Sequence, residues 1–111
     1  ENARVVGNHL LEGLEHLAAR HPIVGNVRGA GLFIGIELVR NQDTLEPADT
    51  EATYVTNRMR DNGILILTDG PLHNVLKIKP PLVFTSENAD QLVETMDPIL
   101  AEDTVIARVS V

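Results

Sequence analysis

The chain has 111 residues, of which 43% are hydrophobic, with a net charge of −7 and no cysteine. This length and apolar content suffice for one domain with its own core, and the missing cysteines exclude disulfides and thiolate metal sites and favour a reducing, cytoplasmic setting. The negative charge and the small aromatic content argue against nucleic acid as a partner, and no apolar run is long enough to cross a membrane.

Residues 2–20 show the pattern of an amphipathic helix, and Pro22 ends it. One stripe at spacings of three and four carries Ala3, Val6, Leu10, Leu14 and Leu17. The helical pattern already runs at Glu1 without a capping residue before it, so we expect a piece cut from a longer polypeptide. His9, Glu12 and His16 lie on the polar flank of this helix, and we interpret them as a solvated face rather than as metal ligands.

Residues 27–39 alternate between two faces, which is typical of a strand with one side on a core. The core face would carry Leu32, Ile34, Ile36 and Leu38, and the other face Phe33, Gly35, Glu37 and Val39. Gly29, Gly31 and Gly35 resemble a nucleotide-binding loop in composition, but a strand and not a helix N-terminus follows them. We therefore interpret these glycines as a bulge and as a place where another backbone approaches closely.

After a polar loop, the pattern predicts a second helix at about 48–62, which ends at Asn62-Gly63. Its inward positions are Ala48, Ala52, Val55 and Met59. The apolar run 64–68 is predicted to be a strand that turns at Asp69-Gly70-Pro71. A third helix, capped by Thr85 or Ser86, would be kinked or ended by Pro98. Its inward positions are Ala89, Leu92, Val93, Met96 and Ile99.

The strand 75–79 holds both lysines of the chain. Because side chains alternate along a strand and Leu76 and Ile78 face the core, Lys77 and Lys79 must share the opposite face. The lysines fit two interpretations. They are either exposed residues that prevent aggregation, or an anion site, since an ammonium group is a compact charge suited to phosphate or carboxylate.

The predicted order is α-β-α-β-β-α. This order indicates an α+β domain in which helices cover one face of a mainly antiparallel sheet of three strands. No Ser/His/Asp set, metal site or base with a positioning partner emerges from the sequence. The residues alone indicate a small domain that borders an anion-binding cleft.

Two segments, HPIVGNVRGAGLFIGIEL (21–38) and NVLKIKPPLVFTSENADQLVETMDPIL (74–100), resemble the C-terminal small domain of class III aminotransferases, which are pyridoxal-phosphate enzymes of fold type I. The opening ENARVVGNHLLEGL resembles the helix by which the chain of that family leaves its large domain. The resemblance implies a small domain over 1–101 and a tail over 102–111. It also implies a homodimeric parent enzyme that acts on a small amine or amino acid. The negative charge already argues against nucleic acid and a membrane as partners.

In that family the small domain closes over a pyridoxal-phosphate site that the large domain of the same chain builds. The Schiff-base lysine, the aspartate at the pyridine nitrogen and the phosphate-cup residues all belong to the large domain. We therefore expect this chain alone to be inactive, with no catalytic, cofactor-binding or metal-binding residues of its own.

Many members of the family carry an arginine at the place of Lys77, in a strand written like LRIAPPL, where it grips a substrate carboxylate in a bidentate way. A lysine cannot do so. The branch that cleaves phosphoethanolamine or phosphohydroxylysine has a similar LKxKPP strand and a similar TDGP turn, which matches residues 68–71. The resemblance thus implies that Lys77 binds the substrate, and it favours a phospho-lyase, in which the cofactor acts as an electron sink while phosphate is eliminated. An aminotransferase, or a stand-alone small-molecule-binding module, is the alternative.

Overall fold

The computed structural model describes residues 2–30, 33–79 and 85–109, without the side chains of residues 2–4 and 30. The helices and strands follow one another in the order α-β-β-α-β-β-α-α, which has one more strand and one more helix than the predicted order. The elements are α1 (Asn2–Arg20), β1 (Val24–Ala30), β2 (Phe33–Leu38), α2 (Asp49–Asp61), β3 (Leu67–Asp69), β4 (Val75–Ile78), α3 (Ser86–Leu100) and α4 (Asp103–Ile106). The predicted α+β class is confirmed.

The strands form one antiparallel sheet in the order β1-β2-β4-β3. A row of directly opposed residues crosses the whole sheet on the face that the helices cover, and it consists of Val27, Ile36, Leu76 and Thr68. α1 packs on β1 and on α3, while α2 packs on β2, β3 and β4. The core therefore lies between the sheet and the helical layer. Within residues 2–30, 33–79 and 85–109, no helix covers the opposite face of the sheet.

The prediction of one strand over residues 27–39, and hence of three strands in all, is wrong. Residues 24–30 and 33–38 form two antiparallel strands, and Gly31 and Leu32 lie outside the described residues. The alternation hid this reversal because both strands place apolar side chains on the same core, with Val27 opposite Ile36. A pattern of period two looks the same on either side of a turn.

Within β2 the predicted faces are confirmed for Ile34, Ile36 and Leu38, which are all buried. Val39, which was predicted on the opposite face, is also fully buried. Its N–H donates to the Ile23 carbonyl at 2.7 Å, and its side chain packs over Gly25, where an added Cβ would lie 2.9 Å from Val39 Cγ2. Val39 is therefore buried against Gly25 and outside the main core cluster.

Gly29 and Gly35 do not play the predicted roles, and Gly31 lies outside the described residues. The irregularity in the pairing falls between Val24 and Asn26, so the bulge lies at Gly25, whereas Gly29 remains paired. A Cβ added at Gly35 would first meet the side chain of Val75, at 3.4 Å, and not another backbone. Gly35 is therefore a position without a side chain on an otherwise regular strand.

The predicted strand 64–68 is reduced to Leu67–Asp69 in the structure. Its first residues instead complete the end of α2, since the Ile64 N–H donates to the Met59 carbonyl at 2.9 Å. Gly63 permits this turn with a φ of +80°. Ile66 then enters the core without strand pairing, so an apolar run need not be a strand throughout.

The helical predictions are largely confirmed. The predicted stripes of α1 and α2 are buried at Val6, Leu10, Leu14, Leu17, Ala48, Ala52, Val55 and Met59. Thr85 is the N-cap of α3, where its hydroxyl accepts from the Asn88 N–H and the Asn88 side chain accepts from the Thr85 N–H. Pro98 does not end α3, which continues to Leu100. Pro98 lies on the exposed side of the last turn, so the helix loses only one hydrogen bond close to its end.

The chain after α3 continues as the short helix α4, which packs against α2 and α3. Its Val105 is fully buried in the core. The part of the tail that the structure describes, up to residue 109, therefore belongs to the helical layer.

Candidate functional site

The face of the sheet turned away from the helices, which we call the open face, combines charged and apolar side chains. It carries Arg28, Phe33, Gly35, Glu37, Leu67, Asp69, Val75 and Lys77. The strand pairing fixes this set, because Lys77 lies opposite Gly35 on one neighbouring strand and opposite Leu67 on the other. Leu76 and Ile78 are buried on the core side, as the sequence predicts. Lys79 follows directly after β4 and is exposed.

Lys77 is held from two sides by residues of two other strands. Its Nζ atom lies 3.3 Å from Oδ2 of Asp69 on β3 and 4.4 Å from the ring centroid of Phe33 on β2. The ammonium group is thus in contact with both a carboxylate and the face of an aromatic ring, each of which attracts a cation. The side chain keeps 28% of its surface exposed, so a ligand on the open face can still reach it.

Asp69 is itself fixed by the turn that follows it. The Gly70 backbone N–H donates to the carboxylate, and this bond, followed by the contact with Lys77, lowers the pKa of Asp69 below its ordinary value. Gly70 adopts a φ of +88°, which a residue with a side chain rarely does. The Asp69-Gly70-Pro71 turn predicted from the sequence therefore places a stable negative charge beside Lys77.

A second pair of opposite charges lies on the same face, where Nη1 of Arg28 is 3.7 Å from Oε1 of Glu37. Both Arg28 and Lys77 therefore have a carboxylate close by. An anion that approaches the open face meets alternating charges and must share Lys77 with Asp69.

These residues do not fit pyridoxal phosphate by themselves. A lysine that forms a covalent bond must be available as an uncharged amine, usually in an enclosed, desolvated site. Lys77 instead is salt-bridged to Asp69 on an open sheet surface. Lys77 is therefore suited to attract an anion by its charge, and it is not suited to act as a nucleophile. This agrees with the resemblance, which implies that the Schiff-base lysine belongs to the large domain.

The other candidates from the sequence lie away from the open face. His9, Glu12 and His16 are exposed on α1 and border a shallow groove towards α3. Nε2 of His9 lies 2.7 Å from Oδ1 of Asp90 on α3. Within residues 2–30, 33–79 and 85–109, no group of three His, Cys, Asp or Glu side chains is placed to hold a metal ion. No helix of this described part has the length and apolar character needed to cross a bilayer.

The sequence reasoning missed the roles of Asp69 and Phe33. Asp69 was assigned only to a turn, and Phe33 only to a face of the sheet. The contact between Asp69 and Lys77 could have been predicted, because two strands joined by a tight turn bring the residues on either side of that turn close together. The contact with Phe33 depends on the order of the strands, which the predicted three-stranded sheet did not contain.

The model of the family Aminotransferase class-III matches residues 1–100 of the chain. Alanine–glyoxylate aminotransferase 2 homolog 2, mitochondrial, from Arabidopsis thaliana is 45% identical over 97 residues, which cover 87% of this chain and 20% of that protein. Ethanolamine-phosphate phospho-lyase homolog 1 from Caenorhabditis elegans is 40% identical over 101 residues, which cover 90% of this chain and 22% of that protein.

Solved structures of related enzymes share the fold. A phospholyase from Arthrobacter in complex with phosphoethanolamine superposes with a TM-score of 0.84 at 40% identity, over 91% of this chain and 24% of that one. An amine transaminase from an uncultivated Pseudomonas species, in its pyridoxal-phosphate-bound form, superposes with a TM-score of 0.78 at 34% identity, over 90% of this chain and 22% of that one. The chain thus spans about a fifth of the length of the proteins it matches. It belongs to the class III aminotransferase family.

Proposed function

We propose that the chain is the C-terminal small domain of a pyridoxal-phosphate enzyme, with the domain over 1–101 and a tail over 102–111. The family match over residues 1–100 and the small share of each relative that the chain covers support this proposal. Since the described residues do not fit the cofactor, the large domain of the same enzyme would hold it. The homodimer implied by the family and a cytoplasmic location, favoured by the lack of cysteine, belong to the same proposal.

Lys77 is proposed to bind the anionic group of the substrate. Its place on the open face, reachable from solvent and held by Asp69 and Phe33, is the observation that carries this assignment. The ammonium group is a compact charge with three N–H donors, and it lacks the parallel pair of donors by which arginine binds both oxygens of a carboxylate. It is therefore better suited to bind a phosphate group than to bind a carboxylate in a bidentate way.

The reaction that we favour is elimination of phosphate from a phosphoamine such as phosphoethanolamine. The amine-bearing carbon loses a proton, and the electron pair of that C–H bond forms a double bond to the neighbouring carbon. The C–O bond of that carbon breaks, and its electron pair leaves with the phosphate oxygen. The resulting enamine takes up a proton and water and is hydrolysed to ammonia and an aldehyde. In this reaction Lys77 would attract the phosphate group and stabilise the negative charge that grows on it as it leaves. The 40% identity to the Arthrobacter phospholyase and to the C. elegans phospho-lyase homolog supports this choice.

Amino-group transfer to a keto acid is the second candidate. The 45% identity to the A. thaliana alanine–glyoxylate aminotransferase homolog favours it. An enzyme of that kind would need a different anchor for the substrate carboxylate, because Lys77 stands where a bidentate arginine would serve. The family match over almost the whole chain argues against the third alternative, a stand-alone binding module.

The full-length enzyme tests the proposal through Lys77→Ala and Lys77→Arg. Loss of a charge-assisted contact should lower kcat/KM for phosphoethanolamine by roughly 10- to 150-fold in Lys77→Ala. Lys77→Arg should keep the charge but shift preference towards amino acids with a free carboxylate. The free energy of unfolding should change by no more than about 0.5–1 kcal/mol, because the side chain lies outside the core.

The assay compares phosphate release from phosphoethanolamine with transfer of its amino group to a keto acid. Lys79→Ala is the matched control, since it removes the same charge two residues further along the chain. Amino-group transfer without any phosphate release by the wild type would contradict the lyase proposal. Full activity of Lys77→Ala on every substrate would show that Lys77 only protects an exposed surface.

A further inference from the structure

Three strands contribute to one constellation around the Lys77 ammonium group. Asp69 on β3 lies diagonally across from it, with 3.3 Å between Oδ2 and Nζ. Phe33 on β2 lies diagonally on the other side, with its ring centroid 4.4 Å from Nζ. Gly35, directly opposite Lys77 on β2, contributes no side chain between the ring and the ammonium group. The Lys77 ammonium group is therefore held on the open face between Asp69 and Phe33.

The two neighbours of Lys77 differ in what they do to an incoming anion. Phe33 attracts the ammonium group but carries no charge, so it hardly changes how the affinity of Lys77 for an anion depends on the charge of that anion. Asp69 repels every anion that binds to Lys77, and the repulsion grows with the charge of the anion. The Gly70 N–H keeps Asp69 in place and favours its ionised form.

We propose that Asp69 is a positioning residue that aims the Lys77 ammonium group and, through its own charge, limits the preference of the site for doubly over singly charged anions. This inference rests on the proposed role of Lys77 in binding the substrate anion. It adds that the TDGP turn sets the specificity of the site.

The size of the effect follows from Coulomb's law. With roughly 6 Å between the Asp69 carboxylate and an anion bound to Lys77, and a dielectric constant close to that of water, each unit of ligand charge alters affinity about threefold. Removal of the Asp69 charge should therefore tighten binding of a monoanion about threefold and of a dianion about tenfold. The ratio of the two affinities should shift about threefold towards the dianion.

The experiment measures competitive inhibition of the full-length enzyme by sulfate, a dianion, and by acetate, a monoanion, against the amine substrate. Asp69→Asn should tighten sulfate about tenfold and acetate about threefold, and should lower both KM and kcat for phosphoethanolamine, because the substrate binds more tightly to a less well-aimed cation. Phe33→Leu should lower kcat but leave the ratio of the two inhibition constants unchanged. Asp43→Asn removes the same charge from an exposed loop and is the control for net charge.

Each outcome decides one of the two ideas. An unchanged sulfate-to-acetate ratio in Asp69→Asn, with Lys77→Ala weakening both inhibitors, would overturn the role of Asp69 and leave the role of Lys77 intact. Unchanged inhibition by both anions in Lys77→Ala would instead overturn the proposed anion site. Asp69 is 55% exposed, so these variants should fold, and Asp69→Ser provides a second neutral variant that must show the same shift in the ratio.

Discussion

At the scale of single residues, the ion pair of Arg40 and Glu51 holds the loop between β2 and α2 in place. Glu51 is only 3% exposed, and Arg40 donates to it through Nε and Nη2, each at 3.0 Å. The same guanidinium group reaches Glu46 and Asp49 at 3.3 and 3.4 Å. Since the Arg40 backbone N–H also donates to the Glu46 carbonyl, this residue closes the loop between β2 and α2.

Replacement of Arg40 by methionine should therefore be costly, although methionine fills a similar volume. It would leave the Glu51 carboxylate buried without a cation, and we expect a loss of about 2–3 kcal/mol, less than for a fully enclosed pair because Arg40 reaches solvent. Denaturant unfolding measures this loss. Glu46→Gln removes only an exposed partner of Arg40 and should change stability by less than about 0.5 kcal/mol. Equal effects of both substitutions would show that the buried pair has no special role.

At the scale of elements, a polar cluster of Tyr54, Arg58 and Glu102 links α4 to α2 beside the buried Val105. Glu102, just before α4, accepts hydrogen bonds from the Tyr54 hydroxyl and from Arg58, whose Nη2 lies 2.9 Å from Oε2. The bonds from Arg58 and then from Tyr54 lower the pKa of Glu102, and the bond to Glu102 raises the pKa of Tyr54. The two shifts have opposite directions because the cluster favours the charged glutamate and the neutral tyrosine.

The cluster should stabilise the docking of α4 only within a pH window. The lowered pKa means that the contribution of Glu102 is fully present above its ordinary pKa of about 4.3 and is lost as the pH falls through the folded value. The raised pKa means that the contribution of Tyr54 is fully present below about 10 and is lost as the pH rises through the folded value. Docking of α4 should therefore weaken at both extremes of pH.

Tyr54 is the sole tyrosine of a chain without tryptophan, so its ionisation can be followed directly by ultraviolet absorbance. Glu102→Gln should bring its titration back towards the ordinary value, whereas Asp103→Asn, which removes a neighbouring exposed carboxylate, should leave the wild-type titration unchanged. A wild-type tyrosine that ionises at the ordinary pH would contradict the cluster. So would an identical shift in both variants.

The elements also show how far the sequence could be interpreted. Periodicity found α1, α2 and α3 because each buries a stripe such as Leu10, Leu14 and Leu17, and it placed Lys77 on the open face because side chains alternate. It did not separate β1 from β2, since both strands face one core. It also could not bring Asp69 and Phe33 to Lys77, because these contacts depend on the order in which strands pair. Local patterns thus predicted which way side chains point, while the site depends on contacts between separate strands.

At the scale of the whole molecule, the helices cover one side of the sheet and leave the other side to the proposed large domain. Beside the charges, the open face presents Phe33 and Val75, both half-buried, and Leu67, which is 55% exposed. Leu67 lies on β3, which is paired on one side only within the described part of the chain. A strand edge with exposed apolar side chains promotes association between copies.

We therefore expect the 111-residue chain to associate in a concentration-dependent manner when it is separated from a large domain. The described part of the tail packs among the helices and leaves the open face uncovered, so the tail up to residue 109 does not prevent this association. Leu67→Glu should weaken the association by placing a charge on the edge strand, and sedimentation velocity over a series of concentrations measures it. Leu45→Glu adds the same charge at a residue of similar exposure, 53%, in the distant loop between β2 and α2, and should leave the association unchanged. A wild-type chain that stays monomeric at every concentration would show that the open face is sufficiently polar to remain in water by itself. Equal effects of the two substitutions would show that the association does not depend on the open face.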